Sequence, residues 1–532
     1  MGLFSKVEDR PTPPEVYGWR IYASALTAAF GAMIFGYDSG FIGGTIALPS
    51  FGNTFFDGGR SAQRPNESAN IVSTYQAGAI AGALLAYPIS DRWGRKAGIV
   101  FAGVTNIIGA ILQLCATSST GLGIFLAGRV IGGMGVGAVS MVVPIYIAEI
   151  SPTSIRGRLV GFYELLLQIG GVVGFWIPFA VNLNIPETDA KQWHIPVALQ
   201  LIPAGLLILG ALYLPESPRW LLKKNRPEHA LKNLMYLRNL PADHHYVQEE
   251  VDIINRAIAL ETGASKRAGR WPKVREVMLK GNRNRLGMGC ALLAFQNLTG
   301  VNAINYYSPT IFQALGVRGT SNSLFSTGVY GVVKMVCTLV FCLWIVDNFG
   351  RRFVFIVGAA GGAISMFYIG AYVKIAEPSA DKDLGQGGVS AIAMIYVFSV
   401  FYAVSWNGLP WVYASEIYPV SIRGLCMSIT AATQWVFQFA IARATPYMLR
   451  DMGYGTYMFF GSWMVVMIGW VWLFLKETKG VSLEDMDKLF GLTAYRHSSA
   501  PEESQPESRD ESQPRQSSLE KTSPAGDRVR QV

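Results

Sequence analysis

Four ionisable side chains interrupt runs that are otherwise apolar: Asp38, Arg129, Glu164 and Lys334. Asp38 is the only charged residue from Ile21 to Phe56, and Arg129 the only one between Lys96 and Glu149. A lone charge in the middle of a lipid-spanning helix costs about 3 kcal/mol or more, so such groups pair or line a wet cavity. Here two acids and two bases balance. A low dielectric favours the neutral form of an acid, and a neighbouring guanidinium favours its anion, so a paired acid can exchange a proton as its partner moves. A second set of residues is built for recognition. FQNLTGVNAINYYSP (295–309), SWNGLPWVYASE (405–416) and TQWVFQF (433–439) concentrate amides and aromatic rings. Amides donate and accept hydrogen bonds, and indoles cover the apolar face of a ring, which suits a small polyhydroxylated ring solute. No nucleophile–base set and no metal-ligand spacing occurs, so neither an enzyme nor a metal site is expected.

The elements that position these residues are membrane helices. Hydrophobic types make up 51% of the 532 residues and charged types 15%, against about 25% charged in a soluble chain. Uncharged runs long enough to span a bilayer recur, which excludes a large soluble protein. The pattern predicts twelve helices, at about 20–46, 70–90, 97–118, 121–145, 158–181, 195–214, 284–312, 322–346, 353–375, 388–413, 424–448 and 454–475. The net charge of +9 lies in short loops between apolar runs, where it sets topology and does not imply nucleic acid. DRWGRK (91–96), SIRGR (154–158), DNFGRR (347–352), SIRG (421–424) and segment 215–285, with 15 Lys+Arg against 8 Asp+Glu, all fall on one side. The positive-inside rule makes that side cytoplasmic, with both termini. The sequon Asn66-Glu67-Ser68 then falls in the first external loop. The five cysteines sit in or beside apolar segments and are read as small core residues without disulfides. The polar first 20 residues predict no cleavable signal peptide. The division expected is 1–19 cytoplasmic, 20–214 a six-helix half, 215–283 a cytoplasmic helical loop, 284–475 a second six-helix half, and 476–532 a mostly disordered cytoplasmic tail.

The halves repeat each other. AEISPTSIRG (148–157) and SEIYPVSIRG (415–424) match at seven of ten positions, 267 residues apart, and YPISDRWGRK (87–96) shares D-x-x-G-R-[KR] with LWIVDNFGRR (343–352), 256 apart. Duplicated halves with a solute site between them are a transporter pattern. A channel would need a filter segment, and none is visible. The repeated charges Asp91, Arg92, Arg95, Glu149, Arg156 and Arg158, then Asp347, Arg351, Arg352, Glu416 and Arg423, lie at cytoplasmic helix ends. Exposed pairs are worth little singly. A half-sheltered network remade in each cycle can bias a two-state gate.

These motifs, with PESPRWLL (215–222) and KETKG (476–480), resemble in order and spacing the signature set of the sugar porters of the major facilitator superfamily, over about residues 17–490. The resemblance implies an all-α membrane protein of twelve helices in two pseudo-symmetric halves. It implies that Asp38, in a GYD motif of helix 1, faces Arg129, in RVIGGMGVG of helix 4, as in proton-coupled members. Gln296, Asn302 and Tyr306 match a helix 7 signature, with Asn297 in place of a second Gln. Asn407 and Trp411 fall in helix 10, Trp411 at the aromatic that covers the sugar, and Gln434 and Trp435 fall in helix 11. Glu164 stands where a neutral Gln is usual, and Lys334 also replaces a neutral residue at or next to the site. The two could pair with each other, or Lys334 could meet an anionic substrate, and Arg443 adds positive charge near the outer mouth. These departures resemble the fungal quinate permease branch, which also holds transporters of xylose, glucose and galacturonate. The function implied is proton-coupled import of quinate or a monosaccharide by alternating access, with no cofactor other than the coupling proton. A facilitative uniporter and a transporter-like nutrient sensor are the alternatives. The partners expected are a small-molecule substrate and the lipid bilayer, with no nucleic acid. A monomer in the plasma membrane is expected.

Overall fold

The computed structural model describes residues 12–56, 65–267, 272–378, 384–419, 422–479 and 489–490. The tail from 491 onward, expected to be disordered, lies outside the described residues. In chain order the helices are α1 (Trp19–Ala47), α2 (Pro49–Phe55), α3 (Pro65–Trp93), α4 (Arg95–Leu114), α5 (Leu122–Ile150), α6 (Arg156–Asn184), α7 (Lys191–Ala198) and α8 (Leu201–Tyr213). A connecting segment follows with α9 (Pro218–Lys223), α10 (Pro227–Arg238), α11 (His245–Arg267) and α12 (Pro272–Val277). The second part runs α13 (Lys280–Leu298), α14 (Val301–Ala314), α15 (Thr320–Val340), α16 (Val346–Asn348), α17 (Arg351–Ala376), α18 (Gln386–Ala403), α19 (Leu409–Ile417), α20 (Arg423–Tyr447) and α21 (Tyr454–Phe474). No strand occurs among the described residues.

Ten described helical spans are long and apolar enough to cross a membrane. Two more complete the twelve: α3, whose first turns (PNESAN) are polar, and the pair α13–α14, which is basic at its start and broken in its middle. The breaks have local causes. Gly300 takes φ +88°, a left-handed conformation that ends α13 and starts α14. A Cβ there would lie 2.7 Å from the Phe460 ring. Tyr307 departs from helical geometry two residues before Pro309, which lacks a backbone donor. Helix 10 is likewise two pieces, α18 and α19, parted at SWNG before Pro410. Such interruptions survive in lipid only where they are sheltered by protein or face a cavity, and Thr299 and Trp406 at these breaks are fully buried. Helix 2 starts at Pro65, five residues before the expected 70, so the sequon at Asn66 lies on a helical turn and not in a loop.

In the first half α1 packs on α6, and α5 on both α3 and α4; in the second α17 packs on α21 and α18, and α13 on α20. The halves meet along α3–α20, α6–α15 and α1–α14. The α1–α14 crossing is backbone-close: a Cβ on Gly43 would lie 2.2 Å from the Tyr306 carbonyl oxygen. In the connecting segment Arg238 is fully buried and donates through both ends of its fork to Glu250, at 2.8 and 2.6 Å, and to the carbonyl of Ile150 at 2.8 Å. That fork ties the segment to the end of α5.

Candidate functional site

Asp38 on α1 and Arg129 on α5 meet in the interior of the first half. Arg129 Nη1 donates to Asp38 Oδ1 at 2.6 Å, and Nε donates to the carbonyl of Ile71 on α3 at 3.1 Å. The guanidinium lies 4.2 Å from the centroid of the Tyr75 ring. Asp38 is 1% and Arg129 0% exposed, so water does not screen the pair. The contact uses one oxygen and one nitrogen only. Asp38 Oδ2, Arg129 Nη2, Ser39 Oγ, Tyr75 OH and both amide atoms of Gln76 are buried without a hydrogen bond. A two-point Arg–carboxylate fork is the strong arrangement. This single-point pair leaves a carboxylate oxygen open to a proton and costs less to separate.

The recognition set lies between the halves. Glu164 on α6 accepts at Oε1 from Gln168 Nε2 and, across the halves, from Asn407 Nδ2, both at 2.8 Å. Asn407 falls in the break between α18 and α19, and its Nδ2 also reaches Thr338 Oγ1 on α15 at 3.4 Å. Gln296 on α13 fixes that break by donating to the carbonyls of Trp406 and Asn407, at 2.8 and 2.6 Å. Asn302 Nδ2 donates to Asn297 Oδ1 at 2.5 Å, and Asn297 Nδ2 donates to Gln434 Oε1 at 2.6 Å, a string of amides across the α13–α14 break to α20. Glu164, Lys334, Asn407, Trp411 and Gln434 are half-buried, and Glu164 and Asn407 join the two halves. Among the described residues Lys334 makes neither an ion pair nor a hydrogen bond through its ammonium, which lies 5.9 Å from the centroid of the Tyr402 ring. It does not close on Glu164. Trp435 stands apart from this set: it is 2% exposed, stacks at 5.3 Å on Phe35 and donates to Ser140 Oγ at 3.3 Å, holding α20 against α1 and α5. Tyr306 is buried and accepts from Gln438 Nε2 at 2.7 Å, on the side of the Asp38 cluster.

The repeated charges form two copies of one network at the basic end. In the first, Arg95 binds Glu149 through two contacts at 3.0 and 2.9 Å, and Ser217 Oγ donates to Glu149 at 2.5 Å. In the second, Arg351 binds Glu416 at 3.1 Å, and Thr478 Oγ1 donates to Glu416 at 2.6 Å. Asp91 turns to the connecting segment, 3.0 Å from Lys223 and 4.0 Å from Lys224. Arg92 is exposed over the Trp93 ring. Arg352 donates to the carbonyl of Trp472 and lies over its ring. Arg423 caps the Tyr418 carbonyl at 3.2 Å and faces the like charge of Arg156 from the other half. Arg158 is exposed, and Asp347 carries no described side chain. The Arg95–Glu149 and Arg351–Glu416 pairs each join helices within a half, and Asp91 pairs with the connecting segment. At the opposite end Arg443 on α20 donates to Asn70 and, at 3.1 Å, to Asn66, which also accepts from Tyr447 at 3.0 Å.

Sequence reasoning singled out neither Gln168, the partner of Glu164, nor Tyr75, the ring beneath Arg129. A lone amide or phenol in a helix has no distinguishing spacing. Ser217 and Thr478 had a signal, since each follows a Glu in a motif at the end of its half (PES and KET).

Comparison with known proteins agrees with this geometry. The chain is 49% identical over 494 residues to a probable quinate permease of Neosartorya fischeri, covering 92% of this chain and 91% of that protein. It is 48% identical, over the same lengths, to a probable quinate permease of Aspergillus niger. Among solved structures it is similar to the xylose transporter XylE from E. coli in a partially occluded inward open conformation, with TM-score 0.72 and 26% identity over 87% of this chain and all of that one. It is equally similar, with TM-score 0.72 and 27% identity over 89% of this chain and 99% of that one, to the proton:xylose symporter XylE bound to 6-bromo-6-deoxy-D-glucose. The family model for sugar (and other) transporters matches residues 24–490, and this chain belongs to that family, a polytopic transporter of the major facilitator superfamily and not an enzyme.

Proposed function

We propose that the protein is a proton symporter that imports a small polyhydroxylated ring solute, with quinate the favoured substrate, across the plasma membrane with its basic end in the cytoplasm. The observation that carries this reading is the buried one-point pair of Asp38 with Arg129. In one conformation Arg129 holds the carboxylate ionised. When the halves rock and the guanidinium withdraws, the low dielectric favours the neutral acid, so Asp38 takes a proton from the side then open. Return of Arg129 expels the proton on the other side. Solute binding by Gln296, Asn297, Asn302, Tyr306, Asn407, Trp411 and Gln434, all from the second half, lowers the free energy of the rocking step, because a ring held on them would also meet the first half where Asn407 reaches Glu164. The basic loops orient the chain by the positive-inside rule. The relatives named as quinate permeases and the proton:xylose symporter support substrate and coupling respectively.

The test is uptake of labelled quinate, xylose, glucose and galacturonate in a transporter-null host, with and without a protonophore. Asp38→Asn should abolish accumulation above the external concentration while leaving exchange of label between two sides at equal concentration. Undiminished accumulation by Asp38→Asn would show that the proton travels by another route.

A further inference from the structure

Two other buried basic groups have a fixed answer to their charge. Arg129 has Asp38 at 2.6 Å, and Arg238 has Glu250 at 2.6 Å. Lys334 does not. Among the described residues its ammonium has no ion pair and no hydrogen bond, and the Tyr402 ring, at 5.9 Å, is at the outer limit of a cation–π contact. The obvious counter-ion is Glu164, yet both partners of Glu164 lie elsewhere: Gln168 and Asn407 hold its Oε1 at 2.8 Å each. Lys334 shares its helix face with Thr338, one turn on, whose hydroxyl meets Asn407 at 3.4 Å. The ammonium therefore lies one turn from the contact between the halves, beside the amides proposed to bind hydroxyls, and is itself half-buried.

We infer that Lys334 is a carboxylate anchor, and that the solute is a ring bearing a single carboxylate, with its hydroxyls on the amides around Asn407 and Gln296. This inference rests on the proposed function and narrows its substrate class. The charges decide the number of carboxylates. One ammonium can neutralise one carboxylate, while Glu164, fixed nearby by two amide donors, repels a second. A neutral ring leaves Lys334 without a contact ion pair, its charge met only at a distance by Glu164, and a dicarboxylate brings an anion for which the described residues around Lys334 supply no second cation. Hydrogen-bonded, charge-assisted contacts of this kind set specificity by leaving the wrong ligand's partner unpaired.

The test uses the whole transporter in proteoliposomes. For the wild type, quinate and its neutral methyl ester are compared as inhibitors of labelled quinate uptake. The free acid should inhibit at least ten-fold better, and equal inhibition overturns the inference. Lys334→Met should raise the KM for quinate at least ten-fold, Lys334→Arg should recover most of it, and a KM unchanged in Lys334→Met overturns the assignment. If the Met variant fails to fold, the ester comparison in the wild type decides alone. Wild-type transport of xylose, with quinate neither carried nor inhibitory, would overturn the anchor and leave proton symport standing. Loss of the proton dependence with the acid–ester preference intact would do the reverse.

Discussion

Removing one member of a buried ion pair costs more than the pair contributes, because the survivor stays buried with its charge; the usual loss is about 3–5 kcal/mol. Arg129 has that position: Ile71 and the Tyr75 ring hold it whether or not Asp38 is ionised. Asp38→Asn, which leaves that guanidinium charged but keeps an amide oxygen beside Nη1, should therefore reach the membrane at lower yield than Arg129→Met, whose surviving Asp38 can take a proton. Size-exclusion profiles of fluorescently tagged variants compare the two directly, and equal yield of both would mean the guanidinium is already solvated. Glu164 behaves differently. Its Oε1 serves as an acceptor for two amides, and a glutamine can do the same. Glu164→Gln should thus keep the contact with Asn407 and fold, while removing the anion that opposes a substrate carboxylate. The KM for quinate should fall about three- to ten-fold, equivalent to about 0.7–1.4 kcal/mol. A raised KM would place Glu164 in direct contact with the solute. Asp38, Arg129, Glu164 and Lys334 were legible in the sequence because each is a lone charge in an apolar run, and that is costly by itself. The resemblance already set Asp38 against Arg129; what the sequence left open was whether Glu164 meets Lys334. Glu164 pairs with amides and not with Lys334 because the breaks in α13–α14 and α18–α19 bring backbone carbonyls and Asn407 between the halves, and these breaks depend on tertiary packing.

At the scale of the element, the repeated D-x-x-G-R motif is a helix start built for a distant cap. The carboxylate of Glu216, just after α8, accepts from the backbone N–H of Arg95 at 2.9 Å and of Lys96 at 3.2 Å, the exposed donors of α4. Glu477, just after α21, accepts from Arg351 at 2.9 Å and Arg352 at 3.0 Å at the start of α17. An anion at a helix N-terminus satisfies free donors and opposes the helix dipole, which matters more here because each helix opens on two basic residues. The glycine of the motif makes room. A Cβ would lie 2.1 Å from Glu216 Oε2 at Gly94 and 2.6 Å from Glu477 Oε2 at Gly350. Gly94 also has φ +108°, whereas Gly350 has φ −67°, a value any residue adopts. Gly94→Ala should consequently cost about 1–3 kcal/mol more than Gly350→Ala, read as a larger drop in the unfolding midpoint in detergent. The two caps also titrate in opposite senses. Burial pushes Glu216 above the usual carboxylate range, and the amides of Ser217, Arg95 and Lys96 recover only part of that. At Glu477 burial is outweighed by the N–H groups of Lys479, Arg351, Arg352 and Thr478, and the carboxyl sits below the range. The folded protein binds a proton at Glu216 more readily than the unfolded chain does, so this contribution grows as pH falls through the raised value. Glu477 contributes fully above the ordinary carboxylate value and loses its contribution as pH falls through the lowered one. Glu477→Gln should lower the unfolding midpoint at neutral pH and converge on the wild type in acid. Glu216→Gln, which resembles the protonated acid, should match or exceed the wild type at neutral pH and converge on it in acid. The motif and its duplication were plain in the sequence, but its glycine reads there only as a loop residue. The reason for it sits at the far end of the half, 122 positions on at Glu216 and 127 on at Glu477.

Across the whole molecule the two ends of the interface between halves are unlike. At the basic end the strong pairs, Arg95–Glu149 and Arg351–Glu416, are internal to a half, and the charges facing across it, Arg156 and Arg423, repel. At the other end α1 touches α14 backbone to backbone at Gly43 and Tyr306, Asn182 donates to Ser321 at 2.8 Å, and Arg443 clasps Asn66 and Asn70 on α3. The halves are thus joined by described contacts at the end away from the basic loops. Most of this junction is close packing that must break and re-form in every cycle, while the Arg443 contacts are polar, and losing polar contacts of this kind costs about 1–1.5 kcal/mol. That energy is present in one conformation and absent in the other, so Arg443→Ala should move the two-state equilibrium about five- to ten-fold toward opening at this end. Thr310, which lines a pocket there with Gly43, Ser68 and Gln313, offers a reporter. A cysteine at Thr310 in nanodisc-embedded protein should react with a bulky maleimide about five- to ten-fold faster when Arg443 is replaced, after subtracting the labelling of native Cys115 and Cys342, which are exposed. Because a shift in the unliganded equilibrium changes the fraction of transporters ready to bind from that side, the same variant should also lower the KM for uptake while slowing turnover from the re-closing step. Faster labelling with an unchanged KM would mean that Arg443 steadies the outer helices locally without taking part in the rocking of the halves.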